Sequence, residues 1–312
     1  NNLADPWWQA VGGNVFAKYQ VRSKVPVSTC DADPNCDSGV ITGPTNANFS
    51  GFIAVGETGS VSTTKDNSTA YVNAANTRTT AQGAFAVGAQ QVVENYDTFY
   101  GNVSRQLVTV TSLNDLVTKI GTQASNTTGL YLFTGGDLTI NKSGAAVPLA
   151  IPADKRVVVF VPANLQITNS SGLDAPRIIT VANGGFLMFV VRSNITIAPE
   201  VGHISNAVVP STTNPNIEGV YFANGQITVA SDGNAATSDR KLIAAGTFVG
   251  LDSGNTGNGI NLLRNYDDGG LGKTKNSVAP TEVFMFRPDF VDNYPVELKT
   301  ASYNWKELAP QR

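Results

Sequence analysis

From Leu130 onward the chain repeats one pattern of apolar and polar positions. An apolar block is followed by a small or polar corner, then an Asn, Asp or Gln, then an apolar-x-apolar strand. Four segments carry it: 130–140 (LYLFTGGDLTI), 157–167 (VVVFVPANLQI), 187–197 (LMFVVRSNITI) and 219–229 (GVYFANGQITV). Their corner residues Asp137, Asn164, Asn194 and Gln226 recur roughly every 30 residues. Looser copies follow at 242–249 (LIAAGTFV) and 283–286 (VFMF). Short strands with period-two alternation and almost no helical periodicity between them do not make βαβ units. A repeat of this length built from two or three short strands fits one coil of a parallel β-helix, right-handed, with Val, Ile and Phe inside. The corner Asn and Asp side chains are expected to stack from coil to coil and bond each other's backbone. A β-sandwich is the alternative, because Asn183-Gly184, Asn224-Gly225 and Asp232-Gly233 suit two-residue hairpin turns.

The first part of the chain reads differently. Residues 14–27 (NVFAKYQVRSKVPV) alternate like a strand, so residues 1–27 are expected to supply one or more strands to the solenoid. Residues 28–110 read as an inserted polar loop or small β element, since 38–90 are rich in Ser, Thr, Asn and Gly with weak alternation. Residues 111–312 hold the coils. At their start, Ser112 stands before Leu113, Leu116, Val117 and Ile120, the spacing of a short capped amphipathic helix. Its expected role is to cover the open end of the solenoid.

Composition narrows the partners. Charged residues make up 14% of the chain, against a usual ~25%, and Asn, Thr, Ser and Gly supply the polar surface. Net charge is −3, and no run of Lys or Arg exceeds the pairs Lys155-Arg156 and Arg240-Lys241. Nucleic-acid binding by phosphate neutralisation is therefore not expected. The longest apolar runs resemble Phe186–Val191, far below the ~20 residues of a membrane helix. The chain opens Asn1-Asn2-Leu3, which reads as a mature or trimmed product whose targeting segment has been removed.

Both cysteines, Cys30 and Cys36, lie in the run CDADPNCDSG. Their spacing is not the CxxC of redox sites, and one histidine with two thiols is too small a set for zinc. A local disulfide is the expected state, which implies an oxidising, extracellular compartment. Asp31, Asp33, Asn35 and Asp37 alternate through the same loop, the spacing by which a curled loop aims oxygens at calcium. Cys36 and Thr42 stand where an EF-hand needs Gly and Glu, so calcium binding competes with a plain stapled turn, in which Asp and Asn serve the backbone.

Six stretches of the chain carry a resemblance. The opening Asp5–Phe16 (DPWWQAVGGNVF), together with 217–225 (IEGVYFANG), 242–249, 261–264 (NLLR), 280–289 (PTEVFMFRPD) and 305–310 (WKELAP), resembles a group of large secreted bacterial surface proteins, some of them pilus-associated. The resemblance covers roughly residues 5–27 and 155–312, with nothing comparable for 28–110; Asn14 stands where Asp is more usual. It implies a cell-surface or pilus-filament role, and no catalytic residue comes with it.

Enzymatic chemistry finds few residues. Asp267-Asp268 is the only adjacent aspartate pair, and neither a supporting His nor a lyase-type set of acids with a lone Arg accompanies it. His203 is the only imidazole, and there is no G-x-S-x-G elbow, P-loop or dinucleotide fingerprint. His203 reads as a satisfied surface or corner residue. Arg264, Glu282, Arg287 and Asp289 read as ion pairs pinning the last coils, with a ligand site as the alternative. Trp7, Trp8 and Trp305 are candidates for packing as end plugs or for contact with a sugar or partner. Sequons occur at Asn48, Asn67, Asn102, Asn126, Asn141, Asn169 and Asn194.

The expected protein is thus a secreted, non-enzymatic structural or adhesive molecule. It is expected to self-associate into an oligomer or polymer, or to bind another surface such as a cell-surface glycan, with no cofactor beyond calcium. A polysaccharide lyase or hydrolase, or a carbohydrate-binding module on the same scaffold, is the alternative.

Overall fold

The computed structural model describes residues 5–11, 15–17, 21–23, 36–42, 53–55, 84–86, 95–174, 177–203, 214–232, 239–252, 259–264 and 281–299. The first strands are β1 (Asp5–Val11), β2 (Val15–Ala17), β3 (Val21–Ser23), β4 (Cys36–Thr42), β5 (Ile53–Val55) and β6 (Ala84–Ala86). Helix α1 (Tyr96–Val103), β7 (Val108–Val110) and helix α2 (Leu113–Thr122) follow. The repeats supply β8 (Thr127–Phe133), β9 (Leu138–Lys142), β10 (Leu149–Ile151), β11 (Lys155–Val161), β12 (Leu165–Asn169), β13 (Ile179–Val181), β14 (Phe186–Val191) and β15 (Ile195–Ile197). They continue with β16 (Ile217–Ala223), β17 (Ile227–Val229), β18 (Leu242–Gly250), β19 (Ile260–Leu262) and β20 (Glu282–Met285). A short helix α3 (Asp289–Asp292) comes last.

The apolar blocks stack into one long sheet, in the order β4-β1-β20-β18-β16-β14-β11-β8-β7. The apolar-x-apolar segments stack into a second, β3-β19-β17-β15-β12-β9. A third face carries the small sheet β10-β13, and a separate small sheet, β2-β5-β6, starts between β1 of the first sheet and β3 of the second. Every pairing between these strands is parallel. This is a parallel β-helix, and the sandwich alternative, which needs antiparallel hairpins, is ruled out. Asn183-Gly184 and Asn224-Gly225 turn corners between successive faces; Gly184, at φ 91°, takes the left-handed conformation that favours glycine.

The corner ladder forms as the sequence pattern predicts. The Asn164 backbone N–H donates to Asp137 Oδ1 at 3.0 Å, Asn194 N–H to Asn164 Oδ1 at 3.1 Å, and Gln226 N–H to Asn194 Oδ1 at 2.8 Å. Asn261 Nδ2 carries it one coil further, to Gln226 Oε1 at 3.0 Å. These side chains satisfy backbone donors that a turn leaves without a sheet partner.

The two large sheets differ in what covers them. In the second sheet Leu138, Ile140, Leu165, Ile167, Ile195, Ile197, Ile227 and Val229 point inward and are buried, while Thr139 and Gln166 are exposed. In the first sheet the central strands β11 and β14 are buried on both faces. Phe160 meets Tyr96 of α1 edge-on at 5.9 Å, and Phe222 meets Phe99 at 5.1 Å. By strand alternation, Phe189 and Tyr221 then face the interior, where they stack at 5.7 Å and Tyr221 stacks on Phe248 at 4.9 Å.

Helix α2 behaves as predicted. Ser112 Oγ accepts the Asp115 N–H at 3.1 Å, and Asp115 Oδ2 accepts the Thr111 N–H at 3.1 Å, a reciprocal cap. Leu116 and Ile120 are buried against β7 and β9, the edge strands at one end of both sheets. Burial of two such side chains contributes roughly 1.5–3 kcal/mol each.

The N-terminal strands join the opposite end of the stack. β1 pairs with β20, Trp8 opposite Glu282, and β3 pairs with β19. Within residues 28–110, β4 extends the first sheet beside β1, and β5 and β6 extend a sheet begun by β2. Helix α1, capped by Asn95 Oδ1 on Thr98 N–H at 2.9 Å, then lies on the outside of the first sheet before β7 starts the far end. The physical reason is the edge: without β1, the backbone groups of β20 would face outward unpaired.

Candidate functional site

Polar chemistry gathers at two places, both built by the connections that leave the second sheet. These connections span 143–148, 170–178, 198–216, 230–241 and 263–281, so insertions concentrate at one corner.

The first place is interior. Arg264, fully buried, donates from Nη1 to Val201 O at 2.6 Å and to Arg240 O, and from Nη2 to Ala198 O at 2.8 Å. Its backbone N–H donates to Glu282 Oε1 at 3.1 Å. Burial pushes the Glu282 carboxyl up to about 8, a rise the nearby guanidinium limits, and burial draws Arg264 down to about 10. Glu282 Oε2 has no hydrogen-bond partner among the described residues, which suits a carboxyl kept neutral. His203 lies beside this cluster in an antiparallel bridge with Lys241. It is 3% exposed, its Nε2 lacks a partner among the described residues, and burial lowers its pKa. It is thus a corner residue but a buried one, held through its backbone to Lys241. Arg264 holds backbone carbonyls of two neighbouring connections, the work of a structural pin.

The second place is an open cleft of about 650 Å³ on the third face. Its floor is the outer side of β10-β13, where Ala150 pairs with Thr180 while Leu149, Ile151, Ile179 and Val181 point inward. Pro152, Ala182, Asn183, Arg177, Glu218 and Arg287 complete its lining. Glu218 is buried in spite of its charge because both its oxygens are occupied. Oε2 accepts the Val181 N–H at 2.8 Å, and Oε1 accepts Arg287 Nη1 at 2.9 Å. Arg287 also grips Asp289 through two parallel bonds of 2.8 and 2.7 Å. That fork lowers the Asp289 pKa and raises that of Arg287.

Of the residues singled out in the sequence, Cys30, Asp31, Asp33, Asn35, Trp305 and Asp267-Asp268 lie outside the described residues. Cys36 and Asp37 open β4, opposite Asp5 and Pro6. Trp7 lies in β1. Trp8 is 2% exposed, and its indole nitrogen lacks a partner among the described residues; this burial removes it from surface contacts. Arg264 with Glu282, and Arg287 with Asp289, form two separate clusters rather than one site. Among the sequons, Asn141 exchanges bonds with Ser170, Asn169 binds Glu200, and Asn194 belongs to the ladder; these amides are committed to the fold. Asn102 and Asn126 are exposed, and Asn48 and Asn67 lie outside the described residues.

Among the described residues no three His, Cys, Asp or Glu side chains are placed to hold a metal ion, and no helix is long and apolar enough to cross a membrane. The sequence reading missed Arg177 and the role of Glu218. The available signal was Glu218 itself, a charge at the start of the apolar strand IEGVYFA. No family profile, curated protein or solved structure matches this chain.

Proposed function

We propose that this protein is a non-enzymatic extracellular structural or adhesive molecule, a cell-surface or pilus-filament subunit that docks through its flat sides onto copies of itself or another surface. The observation that carries the reading is the outward side of the second sheet. Thr139, Gln166, Thr196 and Thr228 stand in register on four successive coils, an uncharged polar row roughly 14 Å long at the usual strand spacing. A rigid row of hydroxyls and amides presents many weak, evenly spaced contacts, which suits a surface that meets another extended surface. The buried charges point the same way, since Arg264, Glu218 and Arg287 are taken up by backbone and ion-pair partners of the fold. The extracellular setting rests on reading Cys30 and Cys36 as a disulfide, and the turn Asp31–Asp37 is the proposed place for calcium.

Electron microscopy and analytical ultracentrifugation of the native protein test this. Filaments, arrays or concentration-dependent oligomers are expected, and reducing-sugar release from acidic or neutral glycans would overturn it. Thiol titration of the unfolded protein without reductant checks the compartment, with no free thiol expected. A second reading, a carbohydrate-binding module, draws on the cleft beside Arg177.

A further inference from the structure

Among the described residues that line the cleft on the third face, Arg177 is the cation that the fold engages least. Arg177 stands at its rim with a side chain 44% exposed, and its Nη2 comes no nearer than 3.9 Å to Glu218 Oε2. That distance is beyond hydrogen bonding. Each Glu218 oxygen already accepts one hydrogen bond, from the Val181 N–H and from Arg287, and Arg287 is neutralised by Glu218 and Asp289. Among the described residues, no hydrogen bond engages the Arg177 guanidinium. A planar fork of five donors is therefore presented over a floor of small side chains, with the Thr180 hydroxyl and the Asn183 amide beside it.

We propose that this cleft binds a carboxylate-bearing polysaccharide, with Arg177 taking the carboxylate side-on and Ala150, Thr180 and Ala182 receiving a sugar face. The fork geometry selects carboxylate over a neutral hydroxyl, because both oxygens of one group meet two parallel N–H donors. The small floor leaves width for a pyranose ring. An acidic peptide is disfavoured by the edge of β13. A peptide strand adds to a sheet through free backbone groups, but the Val181 N–H is held by Glu218, and its carbonyl faces both Arg287 Nη atoms at 3.4 Å. Side-chain recognition of a hydroxylated, carboxylated chain remains open at this edge, whereas backbone pairing does not.

The inference deepens the adhesive part of the proposed function and rests on its non-enzymatic character. Binding of the whole protein to polygalacturonate, dextran and poly-glutamate is measured by calorimetry at low and at physiological salt. Polygalacturonate is expected to bind best, more weakly as salt rises. Arg177→Ala is expected to lower that affinity at least about tenfold, the loss typical of a hydrogen bond to a charged group, while leaving the circular dichroism spectrum and Tm unchanged. Arg177→Lys, which keeps the charge without the fork, is expected to recover only part of it. Equal affinity for dextran, stronger binding of poly-glutamate, or an Arg177→Ala variant that binds like the parent would each overturn the proposal. The two readings fail separately. Turnover of the polymer ends the non-enzymatic reading and leaves the site, whereas no binding ends the site and leaves assembly intact.

Discussion

Arg264 and Arg177 both flank strands of one solenoid, yet one is sealed inside it and the other stands half open to water. Arg264 gives its donors to the carbonyls of Val201, Ala198 and Arg240, so its charge is dispersed over backbone dipoles of two neighbouring connections. Arg177 sits beside a carboxylate that other groups have already satisfied. In this contrast burial and prior occupancy of the acceptors, not residue type, decide how much of an arginine's hydrogen-bonding capacity the fold takes up.

The comparison can be broken most severely at its buried pole. Arg264→Leu leaves carbonyls without donors inside the protein and is expected to cost about 3–5 kcal/mol in urea unfolding. A loss below about 1 kcal/mol would contradict the role given to it. Arg287→Ala, at the half-buried edge of the cleft, is expected to cost about 1–3 kcal/mol, because Glu218 then loses its charged partner. In the corner ladder, Asn164→Ala removes the acceptor of one N–H and is expected to cost about 0.5–1.5 kcal/mol.

The pH dependence sharpens the same contrast. Glu282, raised to about 8 in the folded chain from 4.5, contributes stability that is fully present below about 4.5 and is lost as the pH rises through about 8. The parent Tm should therefore fall between about pH 5 and 8, and Glu282→Gln should flatten that slope; parallel curves would refute the assignment. His203 acts on the other side. Its lowered pKa means that the contribution holds above the ordinary histidine value of about 6.5 and is lost as the pH falls below it. The smallest effect is expected at Arg177→Ala, within about 0.5 kcal/mol of the parent.

Much of this architecture was legible in the sequence because it is periodic. Asp137, Asn164, Asn194 and Gln226 recur at the interval of one coil, and each has its ladder bonds to the next. Ser112 with Leu116 and Ile120 announced a capped helix for the same reason, that its signal is local. Helix α1 had a comparable signal that the reading passed over: Asn95 stands before Tyr96, Phe99, Tyr100 and Val103, spaced as one helical face. What could not be read was pairing between distant segments. Residues 1–27 read as a source of strands for the solenoid, but nothing in the sequence designates β20 as the neighbour of β1. The cleft was hidden likewise, since Glu218 and Arg287 lie 69 residues apart and only the coil geometry brings them together.

The placement of β1 beside β20 bears on how the molecule comes apart. A linear repeat array contacts only nearest neighbours, so it can fray from either end one unit at a time. Here β1 (Asp5–Val11) pairs with β20 (Glu282–Met285), far from it along the chain, so a melting front at β20 also releases β1 and the β4 strand paired with it. The stack stays open in space, with β4 and β7 at its two edges, but its last coil is completed only through a slow, long-range closure step during folding.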